Sequence, residues 1–258
     1  MSAFWLKLIA LASMIIDHLV KAGIISQALF IDCFHMSIKS SFVLLEAILF
    51  VGRIAFPLYA FLIAEGCRKS RNIERYILRL LIFAAISEIP YDLALDPINQ
   101  ISSGIIQRIS FLSHTNIFFT LALGAIAIRG CQILRDRKKT RWLSILPVAA
   151  CAAIGAIIDA DYSWLGVLLI VSAYVPQKKW TQVISMFAVL AVLYIGYASF
   201  WFQSFDTENV LFLLGSAISL VLILIYRGKQ GPRMKWFFYI SYPLHLAILF
   251  LMRWWFIF

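Results

Sequence analysis

Long apolar runs, separated by short polar connections, fill almost the whole chain. A helix needs about 20 mainly apolar residues to cross the hydrocarbon core of a bilayer, whereas a membrane barrel strand alternates apolar and polar positions over about ten. The runs do not alternate, so the pattern predicts an all-α, polytopic transmembrane helical bundle and excludes a barrel. The predicted spans lie at about 4–25, 43–65, 76–91, 114–130, 142–158, 162–175, 181–202, 208–226 and 236–257.

The stretch from 142 to 175 can be divided in two ways. As one long segment it would bury Asp159 and Asp161 in hydrocarbon, where each carboxylate costs at least a few kcal/mol. A short turn at the membrane surface removes that cost. The acidic pair therefore favours two spans and a total of nine.

Composition agrees with this class and narrows it. The chain has 258 residues, of which 62% are hydrophobic and 14% charged, and this balance excludes a water-soluble fold. Nine spans use most of the length, so residues 1–258 are expected to form a single integral membrane domain. The four cysteines show no CxxC spacing, so the sequence predicts neither a metal site nor a disulfide framework.

The net charge of +10 would suggest nucleic-acid binding in a soluble protein, but here its distribution is informative. Cytoplasmic loops of membrane proteins collect Lys and Arg. The odd-numbered connections contain only Lys39 and Arg108, together with most of the loop acids. The pattern predicts a cytoplasmic N-terminus, an external C-terminus and no nucleic-acid partner, with basic loops that also attract anionic lipids or an anionic cytosolic substrate. The sixteen cations of the even-numbered connections are Arg68, Lys69, Arg71, Arg75, Arg129, Arg135, Arg137, Lys138, Lys139, Arg141, Lys178, Lys179, Arg227, Lys229, Arg233 and Lys235.

Asp17 and His18 are ionisable residues inside the first span. Neighbouring helical residues point about 100° apart, so the two side chains must face different partners. In one interpretation Asp17 pairs with Lys21 one turn later and His18 bonds a neighbouring helix. In the other, His18 is an acid/base catalyst in a polar cavity and Asp17 fixes a cation.

Arg53 lies in the middle of the second span, where a guanidinium is costly. Pro57 cannot donate a helical hydrogen bond to the carbonyl of residue 53, so a kink is expected, and Gly52 allows close approach there. A site at this depth and a structural ion pair of Arg53 with Asp17 or Glu88 both remain open.

Other polar residues near or within the spans complete the candidates. Glu65 is expected to pair with Arg68 and Lys69 at a helix end. Arg75 and Arg79, one turn apart, suit either lipid headgroups or a phosphate-bearing ligand. The remaining candidates for binding are Glu88, Asn116, Tyr162, Tyr242 and His245, the last two beside the helix-breaking Pro243.

Five stretches resemble, in order and spacing, the TraX family of inner-membrane proteins that acetylate the N-terminus of F-type conjugative pilin. They are KLIALASMIIDHL, GRIAFPLYAF, NIFFTLALG, DYSWLGVLL and YPLHL. Carried over residue by residue, the family motifs emphasise Asp17, His18, Gly52, Arg53, Pro57, Asn116, Tyr162, Gly166 and His245.

The resemblance implies a multi-pass acetyltransferase of the bacterial inner membrane, with acetyl-CoA as a co-substrate rather than a permanently bound cofactor. Its expected catalytic residues are His18 as general base, Asp17 and Arg53. The expected acetyl-CoA contacts are Arg75, Arg79, Tyr242 and His245, and the expected acceptor contacts are Glu88, Asn116 and Tyr162.

The acceptor remains open between a pilin-like terminal amine and the hydroxyl of a surface glycan. Membrane lipids are further expected partners. A small-solute transporter or channel is the alternative, supported by kinked spans and midplane charges but not by any internal repeat. A structural pilus-assembly subunit without catalysis would leave the cost of His18 and Arg53 unexplained.

Overall fold

The computed structural model describes residues 1–95, 114–136, 142–201, 207–232 and 234–257. These residues form helices joined by short turns, and a β-bridge between Thr115 and Ala160. The helices are α1 Ala3–Lys21, α2 Gln27–Asp32, α3 Ile38–Gly52, α4 Ala55–Lys69, α5 Ile73–Leu95, α6 Ile117–Asp136, α7 Ile145–Ile157, α8 Ser163–Tyr174, α9 Lys179–Trp201, α10 Thr207–Ile225 and α11 Lys235–Ile257.

The all-α fold with long apolar helices is confirmed. By length and composition, Ala3–Lys21, Ile38–Lys69, Ile117–Arg135 and Lys235–Trp255 are long enough to cross a membrane. Residues 142–175 form two helices, α7 and α8, as the acidic pair in their connection favoured. The expected second span is divided between α3 and α4, and the short α2 was not expected from the pattern. The number of membrane crossings stays a prediction.

Helix ends that the loop charges assign to the same side meet at one end of the bundle, which we call the basic end. The N-terminal amine donates to the Ile225 carbonyl at the end of α10 (3.1 Å), and Lys69 at the end of α4 contacts the Tyr226 hydroxyl (2.7 Å). Arg68 donates to the Tyr174 carbonyl at the end of α8 (2.6 Å). The start of α1 and the ends of α4, α8 and α10 therefore meet as the loop charges predicted, whereas the full alternation of the helices and the end that faces the cytosol stay predictions.

The most buried helix is α4, which packs against α1, α6, α8 and α10. Leu58, Ala60, Phe61 and Ala64 are almost completely buried along it. Because lipid tails are as apolar as leucine, helices in a bilayer associate through close packing rather than through exclusion of water. This packing holds α4 as the central element against which the polar residues are positioned.

Small residues allow the helices around α4 to approach closely. A Cβ atom built on Gly124 of α6 would lie 2.5 Å from the Ile170 side chain of α8, closer than real Cβ contacts permit. The glycine is therefore required for the observed separation of α6 and α8. Close contact here brings the beginnings of both helices to the site described next.

Candidate functional site

The interruption between α3 and α4 is the first element of the candidate site. Arg53 caps the C-terminus of α3, and Ile54 precedes the first residue of α4. Pro57 is the third residue of α4, where a backbone N–H has no intrahelical partner. Its ring and missing donor prevent α3 from continuing through this point. The kink expected at Pro57 is thus a short break at Arg53 and Ile54, three to four residues before the proline.

Backbone carbonyls around the break accept hydrogen bonds from hydroxyls of neighbouring helices. The Ser13 hydroxyl of α1 contacts the Val51 carbonyl and, at 3.2 Å, the Gly52 carbonyl. Ser219 of α10 donates to the Ile54 carbonyl (2.8 Å). Irregular backbone is tolerated at membrane depth only when such partners satisfy it. The break is therefore built into the packing of α1, α3, α4 and α10.

Asp17 of α1 faces the break and contacts two cations. Its carboxylate lies 2.7 Å from the Lys21 ammonium one turn later and 3.8 Å from the Arg53 guanidinium. Two of the ion pairs considered from the sequence, Asp17–Lys21 and Asp17–Arg53, are thus present together. A Cβ on Gly52 would lie 2.7 Å from Asp17 Cβ, so only glycine leaves room for this carboxylate.

Asp161 and Tyr162 enter the site from the turn between α7 and α8. The Asp161 amide donates to the Thr115 carbonyl (2.9 Å), which ties this turn to the beginning of α6. Tyr162 adopts a left-handed conformation with φ of 61°, stacks on Phe56 at a ring-centroid distance of 3.6 Å, and hydrogen-bonds Arg53. The turn thus delivers a phenol and a carboxylate to the break.

The acidic pair of that turn has two different environments, although the sequence predicted one solvated turn for both. Asp159 is exposed and lies 2.7 Å from His114. Asp161 instead interacts electrostatically with Lys21 and Arg53. Asp161 is therefore a site residue that the sequence reasoning assigned to the surface. The DYSWLG motif was the available signal, because it places this aspartate next to the tyrosine already singled out.

Two histidines from opposite ends of the chain meet in the same region. His18 Nδ1 of α1 lies 2.7 Å from His245 Nε2 of α11. His245 Nδ1 lies 2.9 Å from the Ser241 carbonyl one turn earlier on α11. Both imidazoles are buried, and the Tyr242 ring packs edge-on against each of them. His18 and His245 thus form a bonded pair rather than two independent candidates.

Three adjoining cavities lead from the basic end toward these residues. The basic chamber, about 640 Å³, is lined in part by Lys7, Lys69, Lys235, Glu65 and Trp236. The aromatic chamber, about 220 Å³, is lined in part by Tyr59, Tyr76, Tyr239, Tyr242 and Arg79. The histidine pocket, about 30 Å³, is lined in part by Asp17, His18, Lys21, Asp161 and Tyr162.

Shared wall residues show how the cavities follow one another. Lys7 and Gly66 line both the basic and the aromatic chamber, while Met14 and Tyr59 line both the aromatic chamber and the histidine pocket. Lys7, Met14 and His18 lie on one face of α1 because they are seven and four residues apart. At 1.5 Å per residue, Lys7 and His18 are separated by about 16 Å along the helix.

The remaining predicted binding residues are distributed more widely. Arg79 lines the aromatic chamber and interacts electrostatically with Tyr239, whereas Arg75 is exposed and lies outside the lining of the three cavities. Glu88 accepts from the Asn116 side chain (2.5 Å) and backbone (3.1 Å) at the beginning of α6. Glu88 and Asn116 therefore hold that helix end near the site.

The cysteines and the described acidic and histidine residues do not suggest a metal centre. In the part of the chain that the structure describes, no group of three or more His, Cys, Asp or Glu side chains is arranged to hold a metal ion.

Comparison with known proteins gives one family and one relative. The model of the family described as "TraX protein" matches residues 2–253 of the chain. The chain is 29% identical over 252 residues to the "Probable fimbrial assembly protein FimC, serogroup H1" of Dichelobacter nodosus, covering 96% of this chain and 94% of that relative. No solved structure matches the chain.

Proposed function

The chain belongs to the TraX family, and on this premise we propose that it is a membrane-embedded acetyltransferase. It moves an acetyl group from cytosolic acetyl-CoA to an amine or hydroxyl acceptor at the membrane or its outer face. The family resemblance supplies the expectation of acetyl-CoA. The observation that carries the proposal is the succession of basic chamber, aromatic chamber and histidine pocket.

The charge of the basic chamber suits the phosphates of coenzyme A. Lys7, Lys69 and Lys235 contribute cations to its lining. The one acid named there, Glu65, is already paired with Arg68 at 2.9 Å and with Lys69 at 2.7 Å. Lysine is a common point-charge partner of phosphate. An anionic nucleotide portion is therefore favoured in this chamber over a cationic solute.

The shape beyond the basic chamber suits a thin acylated arm. The roughly 16 Å from Lys7 to His18 along α1 is within reach of an extended pantetheine arm, and the aromatic chamber offers apolar rings with few polar groups. The histidine pocket, about 30 Å³, holds about one water molecule or a group as small as the end of an acetyl. So narrow a pocket supports group transfer over passage of a whole solute, and thus over the transporter alternative.

The residues that line the pocket, together with Arg53 beside it, have the chemistry that acyl transfer requires. His18 accepts the proton of the acceptor amine or hydroxyl, which attacks the thioester carbonyl. Arg53, hydrogen-bonded to Tyr162, is the cation that stabilises the tetrahedral oxyanion. Asp17 holds Arg53 and Lys21 in place through its two ion pairs.

We favour a pilin-like N-terminal amine as the acceptor, because the relative from Dichelobacter nodosus is named as a fimbrial assembly protein. The proposed location is the bacterial cytoplasmic membrane, with the basic end facing the cytosol. Reporter fusions in the turn at Asp159 and in the connection at Lys178 test this orientation. The proposal requires the reporter at Lys178 to be cytoplasmic and the one at Asp159 to be external.

Acetyl-CoA binding to the purified protein in nanodiscs is the direct test. We expect saturable binding that Arg79→Gln weakens and that Arg71→Gln does not, because Arg79 lines the aromatic chamber and Arg71 is an exposed loop residue. Mass spectrometry then scores acetylation of a peptide with a free N-terminal amine and of an oligosaccharide. Undetectable binding at millimolar acetyl-CoA, together with solute flux in liposomes, would replace the enzyme by a transporter. Neither binding nor flux would leave a structural assembly subunit.

A further inference from the structure

The contact between His18 and His245 is part of a longer series of hydrogen-bonding groups that ends at Ser241. Four polar atoms follow one another there: His18 Nδ1, His245 Nε2, His245 Nδ1 and the Ser241 carbonyl oxygen. The rings of His18 and His245 are nearly parallel, with an interplanar angle of 13°. The two imidazoles come from α1 and α11, so the contact also joins the first and last helices of the described bundle.

If both imidazoles are neutral, only one placement of their protons fits these two hydrogen bonds. A carbonyl oxygen can only accept, so His245 Nδ1 carries the proton that is donated to Ser241. A neutral imidazole has one N–H, so His245 Nε2 is then an acceptor. The 2.7 Å contact therefore requires the proton of His18 on its Nδ1. His18 Nε2 is left with its lone pair.

The opposite arrangement is unfavourable. Placing the proton of His245 on Nε2 would turn its Nδ1 lone pair toward the Ser241 oxygen at 2.9 Å, where two acceptors repel each other. Protonating both nitrogens of His245 would create a cation on a side chain that is almost completely buried. An uncompensated charge in such surroundings costs several kcal/mol.

We propose that His245 is a positioning residue: with the Ser241 carbonyl it fixes the proton of His18 on Nδ1 and thereby directs the Nε2 lone pair of His18 to the substrate. This role rests on the acetyl transfer proposed above. It assigns the base function to His18, because both ring nitrogens of His245 are engaged within the protein. By contrast, His18 lines the histidine pocket, and its Nε2 has no hydrogen bond among the described residues.

With the proton of His18 on Nδ1, every bond and proton in the acetyl transfer can be accounted for. The neutral acceptor amine forms a C–N bond to the thioester carbonyl carbon, and one amine proton moves to His18 Nε2. The resulting imidazolium keeps its Nδ1–H bond to His245 throughout. When the C–S bond breaks, the departing thiolate takes the proton from Nε2, which yields the amide and free coenzyme A and restores neutral His18.

Nitrogen-15 NMR of histidine-labelled protein in nanodiscs tests the proton positions without requiring activity. The chain contains four histidines, so His35→Asn and His114→Gln identify the two exposed ones. We expect His18 and His245 both to carry their proton on Nδ1 at a pH where they are neutral. A proton on Nε2 of His18, or a doubly protonated His245, would overturn the proposal.

Two variants of His245 separate positioning from packing. The amide oxygen of His245→Gln can occupy the Nε2 position and accept from His18, so turnover should stay within about tenfold of wild type. His245→Phe keeps a ring but offers no acceptor, so turnover per folded molecule should fall about 10²- to 10⁴-fold. Equal losses in both variants would contradict a positioning role.

These results are distinguishable from failure of the proposed function. If the wild-type protein acetylates no acceptor but shows both Nδ1 protons, the histidine arrangement stands and the reaction is wrong. If the wild type is active and the Nε2 proton of His18 is observed, the reaction stands and the role of His245 is wrong. Should His245→Phe fail to fold, the wild-type spectrum alone decides.

Discussion

Two carboxylates in this protein each contact two cations, one at the basic end and one at the break between α3 and α4. Glu65 pairs with Arg68 (2.9 Å) and Lys69 (2.7 Å), both of which follow it on the same helix. Asp17 pairs with Lys21 (2.7 Å) on its own helix but reaches Arg53 of α3 at 3.8 Å. The two clusters have the same composition and different geometry.

The difference distinguishes two roles. The Glu65 cluster fastens helix ends together, and we call it the helix-end lock, whereas the Asp17 cluster belongs to the candidate site. Arg68 makes several further hydrogen bonds: its guanidinium also donates to the carbonyls of Ala173, Tyr174 and Pro176 and so closes the end of α8. The Arg53–Asp17 contact is looser, involves a second helix, and lies beside a small pocket with a further carboxylate, Asp161. Charged side chains inside a membrane are costly in free energy. Those that face a cavity are therefore interpreted first as parts of a functional site.

Removing the histidine beside the Asp17 cluster should have the largest effect. His18→Ala deletes the proposed proton acceptor, and loss of a general base lowers turnover about 10²- to 10⁴-fold. Acetylation should be measured per molecule of detergent-stable protein. His35→Asn is the control, because His35 is exposed with φ of 52°, a conformation that asparagine tolerates. Unchanged normalised turnover in His18→Ala would remove His18 from the mechanism.

Changing the guanidinium at the break should have the next largest effect. Arg53→Lys retains the charge but loses the planar fork that reaches Asp17 and Tyr162 together. We expect turnover to fall about 10²-fold, as for removal of an oxyanion donor, with the amount of inserted protein nearly maintained. If the loss lies in protein amount and turnover per molecule stays at the wild-type level, Arg53 is a structural partner of Asp17.

The local part of both clusters could be predicted from the sequence. Spacings of three and four residues on a helix indicated the pairs of Glu65 with Arg68 and Lys69 and the pair of Asp17 with Lys21. The apolar runs predicted the helices, and the loop charges predicted which helix ends meet. These features follow from helical geometry and from the bilayer, and both can be applied directly to the order of residues in the sequence.

What the sequence could not provide depends on packing between distant segments. His18 and His245 are 227 residues apart, and no spacing rule connects them. Asp161 was expected in a solvated turn, but the Thr115–Ala160 bridge directs this part of the turn toward Arg53. Pro57 indicated a kink, but no local pattern indicated that Ser13 of α1 and Ser219 of α10 would bond backbone carbonyls around the break.

Substitution of two glycines, Gly52 at the break and Gly66 toward the basic end, tests the same two regions with smaller expected effects. A Cβ on Gly52 would lie 2.7 Å from Asp17 Cβ, close to the backbone of α1, so Gly52→Ala must displace the carboxylate. A Cβ on Gly66 would lie 2.6 Å from the Tyr76 hydroxyl in the wall of the aromatic chamber. Small misplacements of catalytic groups cost up to about 10²-fold.

We therefore expect Gly52→Ala to lower kcat about tenfold, within that limit, and Gly66→Ala to raise KM for acetyl-CoA a few-fold with kcat nearly unchanged. Steady-state kinetics with varied acetyl-CoA separate the two. The same pattern of kcat and KM changes in both variants would show that the two ends do not have different roles.

The smallest effect on turnover should come from the helix-end lock itself. In Arg68→Lys, one ammonium replaces a guanidinium that bonds Glu65 and three backbone carbonyls, so some of these acceptors lose their donor. Hydrogen bonds to charged groups contribute about 1.5–3 kcal/mol each, and water near the basic end recovers part of this. We expect a thermal melting midpoint several degrees lower and turnover per folded molecule within about twofold of wild type. Arg68 lies outside the lining of the three cavities, so a large loss of turnover without loss of stability would mean that catalytic function extends to both charge clusters.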